Sequence, residues 1–383
     1  MPLQPTTKAT LTSASRMGRQ LTQGCFYALS LLFFQAYLCA PALAQSLSKG
    51  VGDLRVMTYN ANEGTDFLEV QQATTSFEFL EAVGQTITQV RATNPAERMQ
   101  ALASQIIAAS PTLVGVQELD QWSTGPFDFS NNPCGATTME FDMLQELQDA
   151  LAAQGGHYEV AAQAPQYAFP PIPGLTASGF LCVQVVNNIA VLARTDLTPS
   201  KFQWSNPQSG HYASTLFFPT PVGTLPLPRA WASVDALSHG RAFRFITTHL
   251  ESVVPAIREQ QGTELRNGPA NTPMPVVIAM DSNAQAAPLP QDPTYVDFRL
   301  AGYADVWLEF FPKLPGHTCC QAELDNNPVS QLYQRIDLIL THGAVEGQNI
   351  TLYGASPVSR TLDGLWPSDH AGVAAQLVVI SGR

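Results

Sequence analysis

The hydrophobic residues of this chain fall into short runs separated by turn-forming residues, a pattern of many strands interleaved with few helices. Apolar runs predict strands over 54–59, 112–116, 157–161, 189–193, 229–234, 243–248, 275–280, 335–340 and 371–380. Those at 229–234 and 243–248 flank Ser238-His239-Gly240-Arg241 and read as a hairpin. Helical spacing is confined to three places. Asn94-Pro95-Ala96-Glu97 opens one helix with a cap, a first-turn proline and a glutamate, and Met99, Leu102, Ala103, Ile106 and Ile107 share a face of it. Phe141, Leu144, Leu147 and Leu151 mark a second, and Pro255 opens a third with Ile257, Gln261 and Leu265. Residues 63–93 read as a loop with one helical turn, and 162–187, rich in Pro and aromatics, as a long surface loop beside a substrate groove. Strands alternating with a few helices and hairpins predict an α/β fold with mixed sheets.

The first 44 residues stand apart from this pattern. Arg16 and Arg19 precede an apolar stretch over 25–38, and Ala42-Leu43-Ala44 offers a small-x-small cleavage site. The stretch is short for a bilayer span, so 1–44 is predicted to be a signal peptide and 45–383 a single catalytic domain. Export to a secreted or periplasmic location follows. Charged residues are few, at 13%, and the net charge of the whole chain is −12; the charged residues before Ala44 are all basic, so cleavage makes the chain more acidic still. Cys134, Cys182, Cys319 and Cys320 remain, an even number for an oxidising compartment. The expected pairing is Cys134 with Cys182 and Cys319 with Cys320, since adjacent cysteines can close a tight turn.

Candidate chemistry collects at the strand ends. Four predicted strands run into Asn60, Gln117-Glu118, His249 and Asp281, and a fifth is preceded by Ser368-Asp369-His370. An Asp beside a His is an economical base at first sight. Neighbours on an extended chain point to opposite faces, however, so Asp369 is not expected to orient the His370 ring.

The ordered series Tyr59-Asn60, Gln117-Glu118, Thr248-His249-Leu250, Asp281-Ser282-Asn283, Arg335-Ile336-Asp337 and Ser368-Asp369-His370 resembles the endonuclease/exonuclease/phosphatase superfamily. That group includes pancreatic-type deoxyribonucleases, abasic-site endonucleases, bacterial sphingomyelinases and inositol-polyphosphate 5-phosphatases. The resemblance implies a four-layer sandwich of two packed mixed β-sheets flanked by helices, with the site at their shared edge. It implies Glu118 as the main metal carboxylate, with Asn60 and Asp369 in support, and Mg²⁺ or Mn²⁺ as the cofactor for these hard oxygen donors. It gives His370 the part of general base and Asp281 that of orienting its ring. Asn283, His249 and Asp337 are implied around the phosphoryl group, with Arg335 as a charge partner. Arg229 and Asn188 are candidates for substrate binding, since a guanidinium fork suits phosphate oxygens. Departures from the pattern are Asn62, Met280 before Asp281, and Ser282 within the Asp-x-Asn motif.

The implied activity is a secreted, divalent-metal-dependent phosphoesterase, in first place a phosphodiesterase or endonuclease working by in-line attack of water. The partner is a phosphoester substrate, with nucleic acid and phospholipid as the two leading classes, and no obligate protein partner. The acidic chain has no Lys/Arg-rich run to track a polyanion. A sphingomyelinase-like enzyme would need an exposed apolar segment, for which residues 167–180 and Leu216-Phe217-Phe218 are candidates. The competing classes are a non-catalytic binding member of the same fold and a serine hydrolase using Ser368 with His370. The last lacks a Gly-x-Ser-x-Gly elbow around Ser368.

Overall fold

A computed structural model describes residues 54–130, 134–135 and 137–380. The predicted signal peptide lies outside the described residues. In chain order the elements are β1 (Leu54–Asn60), α1 (Leu68–Gln72), α2 (Ser76–Ala92), α3 (Pro95–Ala109), β2 (Leu113–Gln117), β3 (Gln121–Pro126), β4 (Thr138–Asp142) and α4 (Met143–Ala153). There follow β5 (Tyr158–Ala168), β6 (Ile172–Thr176), β7 (Gly179–Arg194), β8 (Phe202–His211), β9 (Leu216–Thr220), β10 (Gly223–Leu227), β11 (Ala230–Ser238), β12 (Arg241–Thr248) and α5 (Pro255–Asn267). The chain closes with β13 (Val276–Asp281), α6 (Pro293–Leu300), β14 (Ala304–Asp305), α7 (Val306–Phe310), β15 (Asp337–His342), β16 (Val345–Tyr353) and β17 (Gly372–Val379).

Two large sheets result. The first runs β16-β17-β1-β2-β7-β3-β4, with β5 and β6 also paired to β7, and the second runs β14-β15-β13-β12-β11-β8. Each is mixed: β1 lies parallel to β2 and β12 parallel to β13, while the remaining pairs are antiparallel. Alternation along the strands sends one set of side chains between the sheets and the other outward. Leu54 and Val56 of β1 meet Phe243, Phe245, Val277 and Ala279 in the central core, whereas Met57 and Tyr59 point out against Met99, Leu102 and Leu147 of α3 and α4. On the far side Ile278, Met280 and Leu338 pack on Leu265 of α5 and Phe298 of α6. The four-layer order of helix, sheet, sheet and helix is therefore the expected sandwich.

Two segments depart from their predicted form. Residues 63–93 hold a 17-residue helix, α2, rather than a loop with a single turn. Its start is a reciprocal cap between Thr75 and Glu78, and Phe79, Val83, Ile87 and Val90 bury one stripe against Trp122 and Tyr167. Residues 162–187 extend β5 and form β6 and the long β7 instead of a surface loop. Pro165 of β5 sits beside irregular pairing, where β5 shifts register against β7, and Pro173 sits in β6, which pairs with β7 alone. Cys134 is bonded to Cys182 of β7, and Cys319 to Cys320. Among the described residues no helix is long and apolar enough to cross a membrane.

The sheets approach closely at Gly115. A Cβ there would lie 2.3 Å from Thr247 Oγ1 and 2.8 Å from the carbonyl of Ala279, both on the opposite sheet. Two residues on, the Gln117 amide donates across the gap to Thr247 Oγ1 at 2.8 Å. Gly115→Ala is expected to push the sheets apart and cost about 1–3 kcal/mol by overpacking. A denaturant midpoint that stays at the wild-type value would show that the gap is slack.

Candidate active site

The topology gathers the polar strand ends. β1 and β2 are parallel, as are β12 and β13, so Asn60, Gln117, Thr248 and Asp281 all stand at the finishing ends of their strands. β15 is antiparallel to β13 and begins there, with Asp337 in register opposite Asp281. β17 is antiparallel to β1, so Asp369 and His370 arrive at the same end. Six segments far apart in sequence thus deliver side chains to one place.

Asn60 lies between two carboxylates, donating from its amide to Glu118 Oε1 at 2.7 Å and to Asp281 Oδ2 at 2.9 Å. Its own oxygen accepts from the Asn62 main chain at 2.9 Å. In this arrangement Asn60 spaces the carboxylates rather than presenting an oxygen to a cation. Glu118 Oε2 accepts from the Glu63 main chain at 2.9 Å. Glu118 has φ 56°, Asn62 58° and Asn283 49°, left-handed conformations that recur at functional sites because they store strain.

His370 is held by Asp337, with Nδ1 2.8 Å from Oδ2, and the Asp281 carboxylate lies 4.0 Å from Nε2. The expectation that Asp281 orients the ring is therefore corrected. Asp337 stands at the start of β15, in register with Asp281, and from there it reaches the ring nitrogen that faces away from the open site. Nε2 faces Asp281 and, at 3.9 Å, Asp369. Burial alone would lower the His370 pKa, but the charges of Asp337, Asp369 and Asp281 outweigh it and hold the ring well above the usual histidine range.

His249 is driven the opposite way. Burial comes first, then the Arg229 guanidinium and His370, and together they depress it well below the usual range. Its Nδ1 faces the Arg229 guanidinium at 3.1 Å and the Gln166 amide at 3.3 Å. Both are donors, and the same guanidinium nitrogen is farther from Nε2, at 3.4 Å, so Nδ1 is assigned as the acceptor and the neutral ring carries its proton on Nε2. That N–H points between Asp281 Oδ2 at 3.5 Å and Glu118 Oε1 at 3.7 Å. Asp281 is pushed up to about 6, by burial and then by the charge of Asp337.

Asn283 is present at the edge, its amide donating to the Leu250 carbonyl at 3.0 Å. Asn188 is not: its amide donates to the carbonyls of Leu119 and Val186, and its oxygen accepts from Gln163. The neighbouring Asn187 points the other way, donating to Asp120 at 2.6 Å and Glu63 at 3.0 Å. Arg335, expected as a charge partner near the phosphate, is instead buried in a 2.8 Å pair with Asp305. The exposed ion pair that would be ordinary for such a residue is excluded as well.

Several participants carried no motif. Glu63 accepts from Tyr167 at 2.9 Å, and burial followed by the nearby charge of Glu118 pushes it up to about 8. Asp325 accepts from Asn62 at 2.8 Å, beside the fully buried Arg98. Arg98 donates to the carbonyls of Ala61 at 2.7 Å and Asn62 at 2.9 Å, and reaches that of Pro367 at 3.4 Å. It therefore pins the loop after β1 to the one carrying Asp369 and His370. A buried arginine flanked by main-chain carbonyls has no sequence signature beyond a charge on the inner face of α3.

Glu118, His249 and Asp281 have ligand atoms within 4.8 Å of one another, as do Asp281, Asp337 and His370. Carboxylates this close, with raised affinities for protons at Asp281 and Asp369, fit a hard cation that would relieve their mutual repulsion. Glu118 and Asp369 are the partly exposed members on which such a cation can act.

The sequence pattern of the Endonuclease/Exonuclease/phosphatase family matches residues 57–370. No curated protein matches the chain. Among solved structures, an endonuclease/exonuclease/phosphatase family protein from Leptotrichia buccalis superposes with TM-score 0.52 at 14% identity, over 85% of this chain and 99% of that one. Another from Bacteroides thetaiotaomicron gives 0.51 at 15% identity, over 86% and 99%. At these identities the likeness concerns the fold.

The two histidines make a direct test. In a metal-free pH titration of the imidazole resonances, His370 is expected to titrate above pH 6.5 and His249 well below it. Removing the Asp337 charge in Asp337→Asn takes away an interaction that favours the charged ring, so the His370 transition moves down. A transition that does not move would mean that Asp337 does not hold the ring.

Proposed function

This chain belongs to the endonuclease/exonuclease/phosphatase family, and from that premise we propose that it is a divalent-metal-dependent hydrolase of phosphate esters in which His370 serves as the base. One observation carries the reading. His370 is backed at Nδ1 by Asp337, while its free Nε2 faces Asp281 and Asp369 in a site that also holds Glu118. The exported location expected from residues 1–44 is part of the proposal, and the Cys134–Cys182 disulfide is in keeping with it.

Glu118 and Asp369 would hold the ion, with Asn60 spacing Glu118 from Asp281. Bound there, Mg²⁺ or Mn²⁺ supplies charge neutralisation at the phosphoryl oxygens and acidifies bound water. With the charges of Asp369 and Asp281 offset by the ion, the His370 ring would be neutral with Nε2 free; Nε2 then takes the proton of the attacking water, and Asp337 stabilises the imidazolium that forms. His249 is kept neutral, so its Nε2–H donates to a phosphoryl oxygen without needing a proton from solvent. Arg229 fixes that tautomer through Nδ1 and adds positive charge beside the phosphate. Asn283, with one amide hydrogen on Leu250, has the other to offer a phosphoryl oxygen.

Ser368 does not support a serine-hydrolase reading. Its hydroxyl donates to the Asn60 carbonyl at 2.7 Å and accepts from the His370 main chain at 3.0 Å. It serves to join the β1 end to the His370 segment.

Turnover should be tested on DNA, RNA, a phospholipid, sugar phosphates and a chromogenic phosphodiester, with Mg²⁺, Mn²⁺ or chelator. Hydrolysis of at least one substrate is expected with metal and none with chelator. His370→Ala is expected to lower kcat by about 10²–10⁴, and Glu118→Gln to raise the metal concentration needed for half-maximal rate. Full activity in chelator, or a wild-type rate in His370→Ala, would sink the mechanism. So would failure to hydrolyse any of these esters.

A further inference from the structure

β9 and β10 pair only with each other, outside both large sheets. Along this hairpin Leu216, Phe218, Leu225 and Leu227 are half-buried, while the intervening Phe217, Pro219 and Pro226 are exposed. Alternation therefore gives the hairpin one inward apolar face. That face closes a cavity of about 120 Å³, whose opposite wall carries Phe67, Val70 and Phe169. Tyr167 and Phe169 stack there with ring centres 5.0 Å apart. Asp66, Gln71 and Ser252 are the exposed polar members of the lining.

The other polar groups of the cavity are those of the site itself or its neighbours: Glu63, Arg229 and Glu251. The Glu63 main chain donates to Glu118 at 2.9 Å, and the Arg229 guanidinium meets both His249, at 3.1 Å, and Ser252, at 3.2 Å. The cavity thus adjoins the phosphoester site through Glu63 and Arg229, mainly apolar where the hairpin lines it and charged beside the site. Its size is of the same order as the apolar cavity of about 150 Å³ known to take benzene. Stacked aromatic walls favour a flat occupant.

We propose that this cavity is a subsite for an apolar aromatic ring attached to the substrate phosphate, seated between the β9–β10 hairpin and α1. The inference rests on the phosphoesterase reading and narrows it to aryl-type phosphate esters. Arg229 stands at the junction, where it faces the phosphate while the ring fills the space beyond it. A small alkyl phosphate reaches the charged end and leaves the apolar end to water.

Titration calorimetry of the full chain in Mg²⁺ with phenyl phosphate and methyl phosphate tests this. Phenyl phosphate is expected to bind about tenfold tighter or more. Leu225→Asp on the hairpin and Val70→Asp on α1 put a charge in the cavity from separate elements. Each should bring the two affinities to within about twofold and leave methyl phosphate unchanged. Phenyl phosphate that binds no tighter than methyl phosphate, or a preference surviving both substitutions, overturns the proposal. Release of inorganic phosphate from phenyl phosphate and methyl phosphate, compared between the wild type and the two variants, separates the two readings. Absence of all turnover defeats the hydrolase reading and leaves the calorimetric ratio to decide the subsite; a phenyl-to-methyl kcat/KM ratio that both substitutions leave unchanged defeats the subsite alone.

Discussion

The constraint on which the rest of the structure depends is the crowding of carboxylates where the two sheets end together. Glu118, Asp281, Asp337 and Asp369 lie close about two histidines, with Glu63 and Asp325 just behind. Buried charge of one sign is expensive unless it is paired, hydrogen-bonded or protonated. Most of these carboxylates are answered by a hydrogen-bond donor. Asn60 donates to two of them, His370 to a third, and Tyr167 and Asn187 to Glu63. The balance left over shows as carboxyl groups with raised proton affinity at Asp281, Glu63 and Asp369. A site with that residual charge is prepared for a cation.

Holding such a cluster requires both sheets to be fixed to each other, and the fixings are specific. Gly115 lets the strands approach, and the Gln117 amide, shared between Thr58 and Thr247, crosses the gap just before Glu118. Asn60 to Asp281 and His370 to Asp337 are further bonds from the first sheet to the second. Arg98 completes the frame from the outer layer. Its donors are spent mainly on main-chain carbonyls, so it sets the paths of two loops, and its charge also lies 3.5 Å from the Asp325 carboxylate. The same helix that packs the outer core therefore also orders the site.

Much of this was legible in the sequence because it depends on local pattern. Apolar runs marked the strands that build the centre of both sheets, and the polar residues directly after them marked the site. What escaped has physical reasons. α2 was hidden by its polar outer face, although the Thr75–Glu78 cap and the spacing of Phe79, Val83, Ile87 and Val90 were readable signals. The strands within 162–187 were masked by prolines that edge pairing tolerates. Asn187 and Asn188 could not be told apart, because which neighbour faces the site depends on register in a strand with bulges. Asp281 and Asp337 face each other in register, so only coordinates decide which of them reaches His370. Glu63, Tyr167 and Arg98 act through tertiary contacts to residues tens to hundreds of positions away.

The two histidines show most directly how position sets chemistry. Both rings are buried, and burial favours the neutral form of each. His370 gains Asp337 at Nδ1 and two more carboxylates near Nε2, and that surplus of negative charge reverses the effect of burial. His249 also has carboxylates nearby, at 3.5 and 3.7 Å, yet the guanidinium of Arg229 sits closer, at 3.1 Å, and cancels them. One ring is made basic and the other a fixed neutral donor, although they share Asp281 as a neighbour. Arg229 is thus the residue that keeps the two from becoming interchangeable, and it does so from the boundary between the charged site and the apolar cavity.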